Sequence, residues 1–94
     1  MKRVHIIVTG TVQGVGFRYS TKAEAEQLGV TGWVRNVGSD RVEIEAQGDA
    51  DAVEQLVTWA RRGPAYAEVA GVEVSDVEVV DGEGAFAISP SSAV

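Results

Sequence analysis

A two-layer α+β fold of order β-α-β-β-α-β, with two helices on one face of an antiparallel sheet, is what this 94-residue sequence predicts. Three observations predict it. Segments with apolar residues at every second position alternate with segments in which they recur every third or fourth. Glycine, proline and aspartate fall at the boundaries between these segments. The length suits one compact domain, because a chain this short can bury one core.

The elements follow in order. Val4, Ile6 and Val8 alternate with His5, Ile7 and Thr9, a half-buried strand in which Ile7 alone breaks the pattern. After the glycine-rich stretch Gly10 to Gly16, Phe17, Thr21, Ala25 and Leu28 share one face of a helix that Gly29 ends. Val30 and Val34 mark a second strand, and Val37-Gly38-Ser39-Asp40 has the chemistry of a hairpin turn. Val42, Ile44 and Ala46 alternate with Glu43, Glu45 and Gln47, the cleanest one-face-buried strand in the chain. Asp49 or Asp51 can cap the second helix, whose Val53, Leu56, Val57 and Ala60 form an apolar stripe closed by Gly63-Pro64. Val72 and Val74 then precede Val77 and Val79 on the opposite parity, which predicts a strand with a bulge near Asp76. Phe86 and Ile88 add a short last strand. Residues 1–88 form the expected domain, and residues 89–94, Ser-Pro-Ser-Ser-Ala-Val, lack a pattern and read as a flexible tail. This order is that of a ferredoxin-like sandwich. Because that fold hosts enzymes, RNA binders and regulatory modules alike, function has to come from the site.

Composition narrows the classes. At 45% hydrophobic and 23% charged the chain is neither disordered nor fibrous. Fourteen acidic residues against eight basic give a net charge of −6, the wrong sign for a nucleic-acid backbone. The basic residues are scattered, so no basic stripe hides inside the acidic total, and any anion must be caught locally. Without cysteine there is no disulfide, thiolate metal site or cysteine nucleophile. No signal-peptide pattern and no membrane-length apolar run is present, so a cytoplasmic protein with no membrane partner is expected.

Two constellations carry chemistry. Gly10-Thr11-Val12-Gln13-Gly14-Val15-Gly16-Phe17-Arg18 joins a strand to the start of a helix. Its glycines allow a tight turn that aims successive N–H groups into one concavity, at the positive end of the helix dipole. Arg18 adds a planar guanidinium whose paired donors match two oxygens of a phosphate. The stretch is not a dinucleotide fingerprint, since the third glycine is missing, and the chain has no Walker loop. Glycine patterns this short also occur in ordinary strand-to-helix turns. The second constellation, Gly32-Trp33-Val34-Arg35-Asn36, ends in an asparagine on the parity of Val30 and Val34. Such a residue either caps the turn or orients a water beside the loop.

With both constellations in view, the sequence resembles the acylphosphatase family. The Gly-x-Val-Gln-Gly-Val-x-Phe-Arg signature stands at residues 10–18, and Gly-Trp-Val-Arg-Asn with a following Val and Gly lies across Gly32 to Gly48. With the element order, the resemblance spans essentially the whole chain. It implies hydrolysis of the carboxyl–phosphate anhydride of acyl phosphates to carboxylate and inorganic phosphate. It implies that Arg18 and Asn36 are catalytic, Arg18 on the phosphate and Asn36 on the attacking water, and that Gln13, Gly14, Val15, Gly16 and Phe17 with Arg18 bind the substrate phosphate. A small-molecule acyl phosphate is the implied partner of a monomeric protein, with neither metal nor cofactor. The alternative is a noncatalytic phosphate-binding regulatory domain. A domain handling carbamoyl phosphate within a larger maturation protein is disfavoured, since the chain spans one domain only. Asp40 stands where relatives usually carry glycine, and its turn would draw on aspartate's tolerance of left-handed geometry. Ser89-Pro90 stands where relatives often carry a basic residue.

Other candidates have plainer readings. His5 falls on the outward parity of its strand and reads as a surface residue. Asp49-Ala-Asp51 starts like a calcium loop, but Val53 occupies a position that needs an oxygen ligand. Glu43 and Glu45 read as exposed charges alternating with buried apolar residues.

Overall fold

A computed structural model describes residues 1–93 of the chain. Its elements are β1 (Lys2–Thr11), α1 (Phe17–Leu28), β2 (Thr31–Val37), β3 (Arg41–Gly48), α2 (Ala50–Ala60), β4 (Glu68–Val77) and β5 (Phe86–Ile88). The strands lie in the order β4-β1-β3-β2-β5, and β1 is antiparallel to both β3 and β4. β2 is antiparallel to β3, whereas β5 pairs with β2 in parallel. The sheet is therefore mixed at one edge, where a purely antiparallel sheet was expected. The parallel pair follows from topology: the chain crosses from the β4 edge to the far edge before it enters β5.

Period-2 and period-3.6 patterns converge on one core. Val4, Ile6 and Val8 of β1, Val34 of β2, and Val42, Ile44 and Ala46 of β3 point to the helices and are fully buried. Phe17 and Ala25 of α1 and Val53, Leu56, Val57 and Ala60 of α2 close the other side. Phe17 meets Trp59 with ring centroids 5.5 Å apart and planes tilted by 58°, tying the start of α1 to α2. α1 ends at a left-handed Gly29, as expected. Asp49 occupies the N-cap position of α2, but its side chain makes no capping hydrogen bond.

Three sequence expectations change. β4 runs without a break near Asp76, and its irregularity lies at the other end, where the register with β1 shifts between Thr9 and Gly10. The parity change among the valines needs no break: Val72 and Val74 stand opposite Val8 and Ile6, Val77 stands opposite Arg3 on the other parity, and Val79 lies beyond β4 in the connection to β5. In the hairpin, Gly38 takes the left-handed conformation at φ 59°, and among the described residues none other than glycine has a positive φ. Asp40 is thus relieved of the demand its position appeared to impose. Glu43 and Glu45 are not free surface charges. Glu43 accepts a hydrogen bond from Arg35 at 2.6 Å and pairs with His5, while Glu45 accepts one from Arg3 at 2.7 Å.

Residues 89–92, patternless in sequence, run beside β2. Ser89 N–H donates to the Val34 carbonyl at 2.8 Å, and Ser92 N–H to the Asn36 carbonyl at 2.9 Å. Gly38 N–H in turn donates to the Ser92 carbonyl at 2.9 Å. Val94, the last residue of the expected tail, lies outside the described residues.

Candidate active site

The segment between β1 and α1 is a run of bends with no regular structure of its own. Gly14 and Gly16 hold it in shape with φ of 75° and 76°, values that cost a residue with a Cβ roughly 1–2 kcal/mol. Gly16 is also the N-cap of α1 and offers no side chain to the helix start; the first helical bond is Ser20 N–H to its carbonyl at 3.0 Å. The backbone amides from Gly14 to Tyr19 have no acceptor among the described residues. A run of unpaired N–H groups around left-handed glycines, at the positive end of a helix, is an anion-binding concavity.

The loop is anchored from below and from one side. Val12 and Phe17 are buried in the core, at 1% and 2% exposure. Gly10 N–H donates to the Asp40 carbonyl at 3.1 Å. The Gln13 carboxamide nitrogen reaches the carbonyls of Arg41 at 2.9 Å, Gly38 at 3.1 Å and Val37 at 3.3 Å. Gln13, grouped from the sequence with the phosphate cradle, therefore spends its side chain on the β2–β3 hairpin. Only its backbone remains for a ligand.

Arg18, in the first turn of α1, is half-buried. Lys2, Arg3, Lys22, Arg35 and Arg41 all have a carboxylate within ion-pair distance. Arg18 has none, nor any hydrogen-bond partner, among the described residues. Asn36 is half-buried near the end of β2, with its backbone opposite Val42 and its carbonyl taken by Ser92. Its carboxamide has no partner among the described residues. Arg61 and Arg62, just past α2, also lack a carboxylate but are exposed, whereas Arg18 and Asn36 are half-buried without a partner among the described residues and are groups that can meet a ligand.

The family model for acylphosphatase matches residues 4–88. The chain belongs to the acylphosphatase family. It is 49% identical over 88 residues to the acylphosphatase of Methylococcus capsulatus, covering 94% of this chain and 96% of that one. To the acylphosphatase of Bifidobacterium longum it is 54% identical over 79 residues, covering 84% and 81% respectively. The crystal structure of acylphosphatase from Bacillus subtilis superposes with a TM-score of 0.89 at 37% identity, over 95% of this chain and 99% of that one.

In this acylphosphatase two side-chain-lined grooves lie away from the loop. One, between α1 and α2, is lined by Glu24, Asp51, Glu54, Gln55, Thr58, Trp59 and Arg62, and another sits at the start of α2. Their carboxylates would repel a phosphate, and a cradle of backbone amides is shallow by construction. Among the described residues no three His, Cys, Asp or Glu side chains cluster so as to hold a metal ion. No helix among them is long and apolar enough to cross a membrane. Sequence reasoning missed two site features. One is the Gln13 side chain's engagement with the hairpin, and the other is Ser92 behind Asn36. Both depend on contacts between distant segments that no local pattern reports.

Proposed function

We propose that this acylphosphatase hydrolyses acyl phosphates with Arg18 and the amides of residues 13–18 holding the phosphoryl group and Asn36 holding the attacking water. The observation that carries this division of roles is the run of unpaired amides from Gly14 to Tyr19 beside an unpaired guanidinium. Phosphoryl transfer spreads negative charge over the equatorial oxygens, and donors fixed in advance stabilise that charge without reorganising. The leaving group is a carboxylate, already stable as an anion, so no general acid has to protonate it. That fits a site without histidine: the one histidine, His5, pairs with Glu43 on the sheet face turned away from the helices. A carboxamide cannot accept a proton at neutral pH, so Asn36 orients the water while its proton passes to a phosphate oxygen or to solvent. On this reading the water attacks phosphorus directly and no phosphoenzyme forms.

We further propose that the domain, residues 1–88, acts as a cytoplasmic monomer with neither nucleic acid nor cofactor as partner. The exposed edge strand β4 carries Glu68, Glu73 and Asp76 with no basic residue, so two copies brought edge to edge would repel.

The test is hydrolysis of benzoyl phosphate, followed by ultraviolet absorbance with a chelator present. Arg18→Ala is expected to lose about 10³-fold or more in kcat/KM together with inhibition by inorganic phosphate. Asn36→Ala is expected to lose about 10²-fold in kcat while still binding phosphate. A folded parent that turns over no faster than the spontaneous reaction would leave a noncatalytic anion-binding domain.

A further inference from the structure

We propose that Gln13 is a positioning residue whose side chain sets the phosphate cradle against the strand end that carries Asn36. The inference rests on the reading in which the cradle holds the phosphoryl group and Asn36 the water.

In-line attack needs the water and the phosphorus in fixed register, yet the two are held by separate pieces of chain. The cradle cannot fix itself. Its amides from Gly14 to Tyr19 are unpaired and thus reserved for a ligand, and it has no ladder of its own. Val12 and Phe17 pin its two ends into the core and set its height above the sheet. Lateral placement relative to β2 falls to the bonds that cross to the hairpin: Gly10 N–H to Asp40, and the Gln13 carboxamide to Val37, Gly38 and Arg41. Of these only Gln13 grips the residue directly after Asn36. It also grips Arg41, which pairs with Val37 across the hairpin, so both legs of the turn are held from one point.

The chemistry of the contact specifies glutamine. Three carbonyl oxygens converge on one atom, which must therefore be the –NH2 rather than the carbonyl end of the carboxamide. Its two hydrogens serve Arg41 and Gly38, the shorter contacts, with Val37 sharing. A carboxylate would repel all three carbonyls, and an apolar side chain would leave them without a donor.

A double-mutant cycle with Asn36 separates positioning from support of the fold. Gln13→Met keeps length and removes the donor. It is expected to lower kcat for benzoyl phosphate by about 10- to 100-fold, the scale of a misplacement near 1 Å. KM and the inhibition constant of inorganic phosphate should stay within about threefold, because the amides and Arg18 are untouched. If Gln13 acts through Asn36, then Gln13→Met adds less than about threefold to the loss already caused by Asn36→Ala. Additive losses, or a parallel fall in phosphate affinity, would overturn the proposal. So would a Gln13→Met enzyme as fast as the parent. An Asn36→Ala enzyme of undiminished rate would instead overturn the underlying reading, whatever Gln13 does. Circular dichroism checks the fold of each variant. Should Gln13→Met not fold, Gln13→Asn, which keeps the donor on a side chain one methylene shorter, is expected to fold and to lose about 10-fold in kcat with phosphate inhibition unchanged within about threefold, and an undiminished kcat would overturn the proposal.

Discussion

Arg3 is the one charged side chain among the described residues that is buried, with 3% of it exposed, and it lies on the sheet face away from the helices. It donates to Glu45 at 2.7 Å, to Gln47 at 3.1 Å and to Glu83 at 2.8 Å, the last brought over the sheet by the connection between β4 and β5. Removing the cation strands two part-buried carboxylates, and losing one partner of a buried pair costs about 3–5 kcal/mol. Since Glu45 and Glu83 keep some contact with water, Arg3→Ala is expected to lose about 3 kcal/mol in urea unfolding. A loss below about 1 kcal/mol would mean that solvent already screens the cluster. Arg3 also marks the limit of reading residues from sequence. Arg18, Asn36 and the loop glycines stood out because their neighbours in sequence form recognisable motifs. Arg3 did not, and Gln13 stood out as part of the loop but not for what its side chain does, because their partners lie 24 to 80 residues away and become neighbours only when the sheet forms.

Between elements, the contact that matters most for the candidate site is Phe17 on Trp59, since Phe17 is both the first residue of α1 and the end of the cradle. Phe17→Leu keeps an apolar side chain there but loses the tilted ring contact and some volume. A cost of about 1–2 kcal/mol in urea unfolding is expected, with a native-like circular dichroism spectrum. No measurable cost would show that α1 is anchored elsewhere. Elements with a strict period were legible: β1, β3 and α2 lie where alternation and the helical stripe put them. β4 was legible as a strand but not in its details, because it lies at the sheet edge, where burial no longer imposes one parity. Val74 and Val77 are 38% and 37% exposed there. The segment after β5 was illegible for a related reason. Ser89 and Ser92 are held by backbone hydrogen bonds to β2, and backbone bonding is blind to side-chain pattern.

Across the whole molecule, the sheet face opposite the helices couples three strands through one carboxylate. Glu43 on β3 meets His5 of β1 and Arg35 of β2, whose guanidinium also lies 5.3 Å from the centre of the Trp33 ring. Burial pushes the Glu43 pKa up, but the hydrogen bonds from His5 and Arg35 and the Arg35 charge outweigh it and hold the group below its ordinary 4.5. The fold therefore favours the ionised form. Its contribution to stability is complete above the unfolded-state value, fades as pH falls through the lower folded value, and is gone beneath it. Glu43→Gln is neutral at every pH. The difference in unfolding free energy between parent and variant should accordingly be largest near neutrality and shrink as urea unfolding is repeated down to about pH 3. A difference that stays constant over that range would mean that the substitution removes packing and not charge. The expectation belongs to the molecule as a whole because Glu43 acquires its partners only when β1 and β2 flank β3, so its proton reports whether the assembled sheet is intact.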